Sequence, residues 1–447
     1  MLKKLLDLLR DALIYGVGGT LGQVIGFLLL PLYTDRLSPT EYGQLAMLTI
    51  VSALFPTLAF LGMRGAIFRF FSLTKDETER ATALGLGFST VTVGTVALLL
   101  VSWIFSDVFS RALFGAENLD HLLRFALLSA AANSIGNVPQ IVLRAARRAK
   151  TTTAINTAKT LFSVGATVWL VVGLERGVWG VVVGALVADV VFTLLQVAIT
   201  WRYYRFAANL PLLRRMLSYG LPYLPSRLLT MGTVYLSTYM LRQLMGLDDA
   251  GLYSVAARFA VPISIVVAAL TQAWLPYRFK IFAEDADPAS FFRTTVTYYV
   301  AVIGYLWVGV CVWGPEAIRL LTNARFHAAA GLLPALALIP VMEGFYQMVN
   351  TGVEIGDDTR VMPLVSLSGL IVVAGATALL VPLLGAAGAA FATMLGWIAM
   401  TAAIYRVAQR RFHIPYDWMT LIALAAIAIA SVACSVLVQK LTLSYRS

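Results

Sequence analysis

The sequence predicts an all-α polytopic membrane protein made of two pseudo-symmetric six-helix bundles and one extra C-terminal transmembrane helix. Three observations predict it. Of the 447 residues, 59% are hydrophobic and 13% charged, with a mean hydropathy of +0.80, far more apolar than a soluble domain of this length. The apolar residues fall in runs of roughly twenty, the length that crosses about 30 Å of hydrocarbon. The chain also repeats itself. Leu9-Arg-Asp-Ala-Leu-Ile-Tyr-Gly16 opens the first run and Leu213-Arg-Arg-Met-Leu-Ser-Tyr-Gly220 opens the seventh, with five of eight positions identical.

The chain begins with an amphipathic basic stretch, Met1 to Arg10, that no small-residue cleavage site follows, so it reads as an uncleaved interfacial helix. Thirteen spans follow, near 12–32, 43–64, 81–105, 121–143, 153–174, 178–200, 217–241, 251–275, 293–314, 330–353, 361–382, 386–405 and 417–438. These runs are continuous and rich in Leu, Ala and Val, whereas an outer-membrane barrel would need short alternating strands.

The repeat groups the spans. Glu41-Tyr-Gly43 after the first has its counterpart in Asp249-Ala-Gly251 after the seventh, and Gly177-Val-Trp-Gly180 leads the sixth as Gly385-Ala-Ala-Gly388 leads the twelfth. The expected domains are therefore an N-terminal bundle over 1–200, a cytoplasmic linker over 201–216, a C-terminal bundle over 217–405, and an extra helix with its tail over 406–447. Six spans return the chain to its starting side, so the halves share an orientation and suit a rocking, alternating-access motion. The glycine phrases read as close-packing faces and not phosphate loops, because no soluble strand precedes them. Pro139, Pro222, Pro225, Pro262 and Pro340 fall within spans, either as passive kinks or as marks of moving helices.

Charge placement fixes the topology. With a cytoplasmic N-terminus, 21 of the 34 Lys and Arg lie on cytoplasmic segments, 9 on external ones and 4 inside the membrane. The net charge of +11 is thus a positive-inside signal with affinity for anionic headgroups, and no nucleic acid is expected. Cys311 and Cys434 each fall inside a span, which sets disulfides aside, and the scattered His121, His327 and His413 make no metal or catalytic site. No loop is long enough for a separate catalytic domain, so the chain is not expected to be an enzyme.

Six charges fall within spans: Arg64, Lys159, Asp189, Arg227, Arg258 and Glu343. Each costs about 2.5–3.5 kcal/mol at the centre of a span, so each must face protein or water. Arg227 lies ten residues into the seventh span, roughly 15 Å deep. Arg258 enters the eighth span from outside. Together they suit a diphosphate through forked hydrogen bonds, or they pair with Glu343 or Asp189. Arg64, with Arg69, closes the second span either as a cationic ring at the cytoplasmic mouth or as an ordinary flank. Lys159 either contacts cargo or snorkels to the cytoplasm. Asp189 and Glu343 are candidates for Na+ or H+ coupling or for ion pairing; no other cofactor is expected. Tyr15, Tyr219, Tyr223 and Tyr235 either stack on sugar rings or pack.

Several phrases together resemble a family: Tyr15-Gly16, Leu37-Ser-Pro-Thr-Glu-Tyr-Gly43, Asp249-Ala-Gly251-Leu-Tyr253, and Val381-Pro-Leu-Leu-Gly-Ala-Ala-Gly-Ala-Ala-Phe-Ala-Thr393. The chain resembles the polysaccharide transporter branch of the multidrug/oligosaccharidyl-lipid/polysaccharide (MOP) exporter superfamily, which includes the Wzx-type flippases and is related to MATE exporters and lipid II flippases. The resemblance implies a flippase in the bacterial inner membrane that moves an undecaprenyl-diphosphate-linked oligosaccharide (an O-antigen, capsule or exopolysaccharide unit) through a cationic cavity. It also implies two further C-terminal helices where this chain shows one. The implied partners are the lipid-linked glycan and membrane lipids, with a glycan polymerase and a chain-length regulator as candidate proteins; a monomer is expected. The competing expectations are an Na+- or H+-coupled drug or metabolite exporter of the same superfamily, and a scaffold in a glycan assembly complex that transports nothing.

Overall fold

The computed structural model describes residues 23–74, 76–115, 119–146, 148–284, 287–355 and 361–444. The expected interfacial helix and Tyr15 lie outside the described residues. All regular structure within them is helical, as expected. Ten helices are long and apolar enough to cross a membrane, or eleven when the pair Leu247–Arg258 and Val261–Ala283, bent by 54°, is one span. Thirteen spans were expected. The first runs partly outside the described residues. The seventh carries Arg227, Arg242 and eight hydroxyl side chains over Tyr223–Met245, too polar for a spanning composition.

The chain packs as two compact units, one of residues 40–235 and one combining the chain up to Pro39 with residues 236–447. These packing units are a different partition from the sequence halves 1–200 and 217–405. The linker and the start of the seventh span pack with spans two to six, and the end of the first span, which includes α1 (Leu30–Arg36), packs with the second half.

The 40–235 unit is built from α2 (Pro39–Ala59), α3 (Met63–Leu73), α4 (Glu77–Ile104), α5 (Ser106–Phe114), α6 (Asp120–Ala145), α7 (Ala149–Val168), α8 (Gly177–Thr200), α9 (Leu210–Gly220) and the start of α10 (Tyr223–Met245). Asp76 caps α4 by accepting from the backbone N–H groups of Thr78 at 3.0 Å and Glu79 at 3.3 Å. Asn209 caps α9 by accepting from Leu212 at 3.1 Å. The linker is docked on α4: the Arg205 N–H donates to the Ala81 carbonyl at 3.0 Å, and a Cβ on Gly85 would stand 2.2 Å from the Arg205 carbonyl oxygen. A core of Phe60, Ile67, Leu84, Val91, Val142 and Met216 joins α3, α4, α6 and α9.

Two sequence expectations change in this unit. The second span ends at Ala59, not at residue 64. Leu61 (φ 48°) and Gly62 (φ 75°) turn the chain through the left-handed region, and α3 starts afresh at Met63. Pro222 and Pro225 do not kink a continuous seventh span. The chain breaks at Leu221 and Pro222, and Pro225 sits in the first turn of α10, where a missing N–H costs nothing. The two breaks meet, because a Cβ on Gly62 would stand 2.0 Å from the Gly220 carbonyl oxygen and one on Gly220 would stand 2.7 Å from that of Gly62. Gly62→Ala therefore combines left-handed strain of about 1–3 kcal/mol with overpacking of similar size, and is expected to lower the unfolding midpoint of the purified protein. Gly65→Ala, whose Cβ would meet only the Tyr219 ring at 3.7 Å, is the control and should unfold like the parent.

The second unit continues with α11 (Leu247–Arg258), α12 (Val261–Glu284), α13 (Pro288–Leu321), α14 (Leu333–Val349), α15 (Thr351–Ile355), α16 (Met362–Leu384), α17 (Ala386–Arg411) and α18 (Trp418–Ser444). The extra C-terminal helix, α18, packs along α13. Asp417 caps it, accepting from the Thr420 hydroxyl at 2.7 Å and its N–H at 3.1 Å, and these bonds hold the carboxyl below its ordinary range. The repeated glycine phrase does the same local work in each unit. Gly177 (φ 51°) and Gly385 (φ 59°) turn the chain, and three residues on, Gly180 and Gly388 let the incoming helix touch its hairpin partner, at Val171 and at Leu380 respectively. That is the close packing the sequence suggested.

Candidate functional site

The meeting of Gly62 with Gly220 positions the most distinctive polar group in the 40–235 unit. Arg64 follows Gly62 by two residues on the first turn of α3, and Arg227 follows Gly220 by seven on the second turn of α10. Joining the two breaks brings the Arg64 guanidinium into electrostatic range of Arg227 and of Arg144 in the last turn of α6. All three side chains belong to exposed residues, and no carboxylate within ion-pair distance of any of them is found among the described residues. Like charges with no carboxylate beside them among the described residues repel, an arrangement that stability alone disfavours and that an anionic ligand would relieve.

Aromatic rings surround the cluster. The Arg64 guanidinium lies 5.5 Å from the Phe60 ring centre, and Arg69, on the same helix, lies 4.4 Å over Tyr219. Tyr219 and Tyr223 stand 5.8 Å apart across the break, and Tyr235 on α10 lies in the field of Arg227. Of the expected site residues, Arg64, Arg227, Tyr219 and Tyr223 are thus brought to one region. Arg144, which is not among the charges expected within spans, approaches Arg64 from α6.

The other expected residues sit elsewhere. Arg258 belongs to the other unit, where it ends α11 at the elbow before α12 and lies against the first span, 3.5 Å from where a Cβ on Gly26 would be. Phe27 and Phe259 pack edge to face beside it, with ring centres 5.5 Å apart. Arg227 accordingly keeps company, within its own unit, with Arg64. Glu343 is exposed on α14 and close enough to Tyr299 to act on it electrostatically.

Lys159 and Asp189 meet each other. Lys159 Nζ on α7 lies 2.6 Å from Asp189 Oδ1 on α8, and Ser129 and Asn133 of α6 donate to the same carboxylate. The sequence offers Asp189 for ion coupling or for pairing with a buried Arg, and Lys159 for cargo contact or snorkelling; it does not join the two to each other. A second ion pair went unread altogether: Arg278, 2% exposed on α12, binds Glu354 of α15, which also accepts from Asn350 Nδ2 at 2.6 Å. The expected eighth and tenth spans stop at 275 and 353, short of both residues, whereas α12 runs on to Glu284 and α15 to Ile355.

A multi-pass helical membrane protein with the fold of flippases and exporters is what these features define. Residues 8–282 match the family of polysaccharide biosynthesis proteins, and the chain belongs to that family. Over 282 residues it is 24% identical to Lsg locus putative protein 1 of Haemophilus influenzae, covering 62% of this chain and 67% of that one. Among solved structures it is similar to a multidrug resistance MATE family transporter of the MOP superfamily in its inward-facing conformation, with a TM-score of 0.74 at 15% identity over 93% of this chain and 99% of that one. It is also similar to the lipid II flippase MurJ, with a TM-score of 0.72 at 12% identity over 94% and 92% of the two chains. A third similar structure, a MOP superfamily transporter from Pyrococcus furiosus described as having a binding pocket of reverse polarity, gives 0.63 at 16% identity over 90% and 95%. The match to these neighbours rests on shape, since so few residues are shared.

Proposed function

We propose that this chain translocates an undecaprenyl-diphosphate-linked oligosaccharide, the repeat unit of an O-antigen, capsule or exopolysaccharide, from the cytoplasmic to the periplasmic leaflet of the bacterial inner membrane by alternating access. The observation that carries the reading is the cluster of Arg64, Arg144 and Arg227. One similar structure is named a lipid II flippase and another a multidrug transporter, so the fold leaves the cargo open and the sign of the charges selects it. Guanidiniums without carboxylates beside them among the described residues fit a diphosphate, whose oxygens accept forked, charge-assisted hydrogen bonds. A cationic drug would meet repulsion there, and the buried carboxylate of Asp189 is already held by Lys159. Membership of the polysaccharide biosynthesis family supports a glycan as the lipid's burden, and Tyr219 and Tyr223 offer faces for sugar rings.

In this reading no bond is made or broken. The N-terminus is cytoplasmic, the chain acts as a monomer, and Na+ or H+ supplies the drive, with Glu343 as a candidate carrier. A glycan polymerase and a chain-length regulator would take the product. The test is complementation of a strain that lacks the chain, scored by surface glycan and by the amount of inserted protein. Arg258→Ala is expected to insert normally and to lose most surface glycan, and Arg258→Lys to recover part of it. Normal glycan with Arg258→Ala would remove Arg258 from cargo handling, and cationic drug efflux with unchanged glycan would overturn the reading itself.

A further inference from the structure

Two further guanidiniums sit on the helices that meet at Gly62 and Gly220, both in the 40–235 unit. From that contact α3 and α9 run antiparallel, so that Gly65 and Arg69 of α3 lie against Tyr219 of α9, and Phe70 of α3 lies against Arg215. Met63, Ala66 and Ile67 on α3 and Leu212 and Met216 on α9 form the buried stripes that bring the two helices together. Arg69 and Arg215 are left exposed at the edge of the contact, each over a ring supplied by the other helix. The Arg69 guanidinium lies 4.4 Å from the Tyr219 ring centre, and that of Arg215 lies 5.7 Å from the Phe70 ring centre.

A ring holds an arginine differently from a carboxylate. It covers one face of the guanidinium, leaves the N–H groups at the edge open, and does not cancel the charge. Arg124 and Arg319 elsewhere in the chain have carboxylates at 3.3 Å and 3.0 Å. Neither α3 nor α9 carries an acidic residue, and no carboxylate within ion-pair distance of Arg69 or Arg215 is found among the described residues. Because Tyr219 lies one turn beyond Arg215 on α9, the two guanidiniums are about one helical turn apart, roughly 5–6 Å. Two open guanidinium edges at that spacing suit an anion with several oxygens, such as a diphosphate. The same two helices expose Phe68 and Leu210, at 51% and 74%, and apolar side chains among arginines suit a phosphate borne by a lipid over a free one. Arg64 stands five residues before Arg69, roughly 7–8 Å along α3.

We propose that Arg69 and Arg215 form an outer station that takes up the lipid-borne diphosphate at the cytoplasmic membrane surface and passes it to Arg64 and Arg227. The proposal rests on the cargo proposed above and locates its first contact with the protein. The outer station governs loading, and the inner cluster governs passage across the membrane.

The experiment measures binding first, on the purified full-length protein in detergent carrying Arg64→Ala and Arg227→Ala, which removes the inner pair. Undecaprenyl diphosphate without a glycan should still raise the unfolding midpoint by about 2 °C or more at saturating concentration, as mass action requires of a ligand bound only by the folded state. Adding Arg69→Ala and Arg215→Ala should abolish the shift, and inorganic diphosphate should need an at least 10-fold higher concentration, roughly, to produce it. In proteoliposomes, with the inner arginines intact, Arg69→Ala with Arg215→Ala should raise the lipid-linked glycan needed for half-maximal movement about 10-fold or more, with a smaller effect on the maximal rate. Glutamine at both positions keeps the stems and should act as alanine does. No midpoint shift in the protein lacking the inner pair, a shift that survives loss of Arg69 and Arg215, or an unchanged half-maximal value overturns the outer station and leaves the cargo reading standing. Failure of both the alanine and the glutamine variants to insert overturns it equally, because the two arginines would then be holding the fold. An equal response to inorganic diphosphate overturns the lipid as its ligand. A shift that depends on Arg69 and Arg215, in a parent that moves no lipid-linked glycan, overturns the cargo reading and supports the station as a lipid-diphosphate site.

Discussion

Replacing Arg64 and Arg227 together by alanine is expected to abolish glycan export while the protein still inserts and folds. Hydrogen bonds to charged groups contribute about 1.5–3 kcal/mol each, so each guanidinium is worth roughly a 10-fold to 100-fold change in substrate affinity and the pair more than either. The fold should tolerate the loss. Both residues are exposed, neither holds a carboxylate among the described residues, and removing them ends the repulsion that Arg64 meets from Arg227 and Arg144. The measurement is surface glycan per unit of inserted protein, with the unfolding midpoint as the check on integrity. Lysine at both positions should restore part of the activity, since it keeps the charge and loses the planar fork. Full restoration by lysine would mean that charge alone recruits the cargo.

The second large effect falls on stability. Asp189→Ala leaves the Lys159 ammonium buried among three helices without its carboxylate, and breaking a buried pair from one side costs about 3–5 kcal/mol. Against a total stability of about 5–15 kcal/mol, that is expected to cut the yield of monodisperse protein severely. Lys159→Met with Asp189→Leu removes both charges and should recover most of the yield. The effects of the single and double variants will therefore be strongly non-additive, and simple additivity would contradict the pairing.

Much of this was legible in the sequence because the bilayer is a demanding solvent. Long apolar runs can only be helices, and the chain does fold as helices. The glycines before the sixth and twelfth spans were legible for a similar reason, since a repeated Gly-x-x-Gly ahead of an apolar run has few uses besides close approach. Breaks inside spans were not legible. Nothing in Phe60-Leu61-Gly62 resembles a strong stop, because the left-handed turn there is stabilised by Gly220, some 158 residues on. With that turn unseen, Arg64 was placed at the end of a span, and its approach to Arg227 was hidden. Arg144 stands in a run with Arg147 and Arg148, and nothing in that run marks the one that comes into range of Arg64. Lys159 and Asp189 were each found but not joined, since only the packing of α7 on α8 sets their register. Arg278 and Glu354 fall just past the expected ends of the eighth and tenth spans, and only the folded helices bring them together.

The central claim is that the arginine cluster receives the diphosphate of a lipid-linked glycan. Transbilayer movement of a fluorescent undecaprenyl-diphosphate-linked oligosaccharide in proteoliposomes, read by an impermeant quencher, tests it most directly. The parent protein should move the labelled lipid between leaflets. The variant carrying Arg64→Ala and Arg227→Ala should move it no faster than protein-free vesicles, and the monophosphate-linked lipid should be a poor substrate for the parent. Equal movement by parent and variant, or no movement by the parent, would contradict the account.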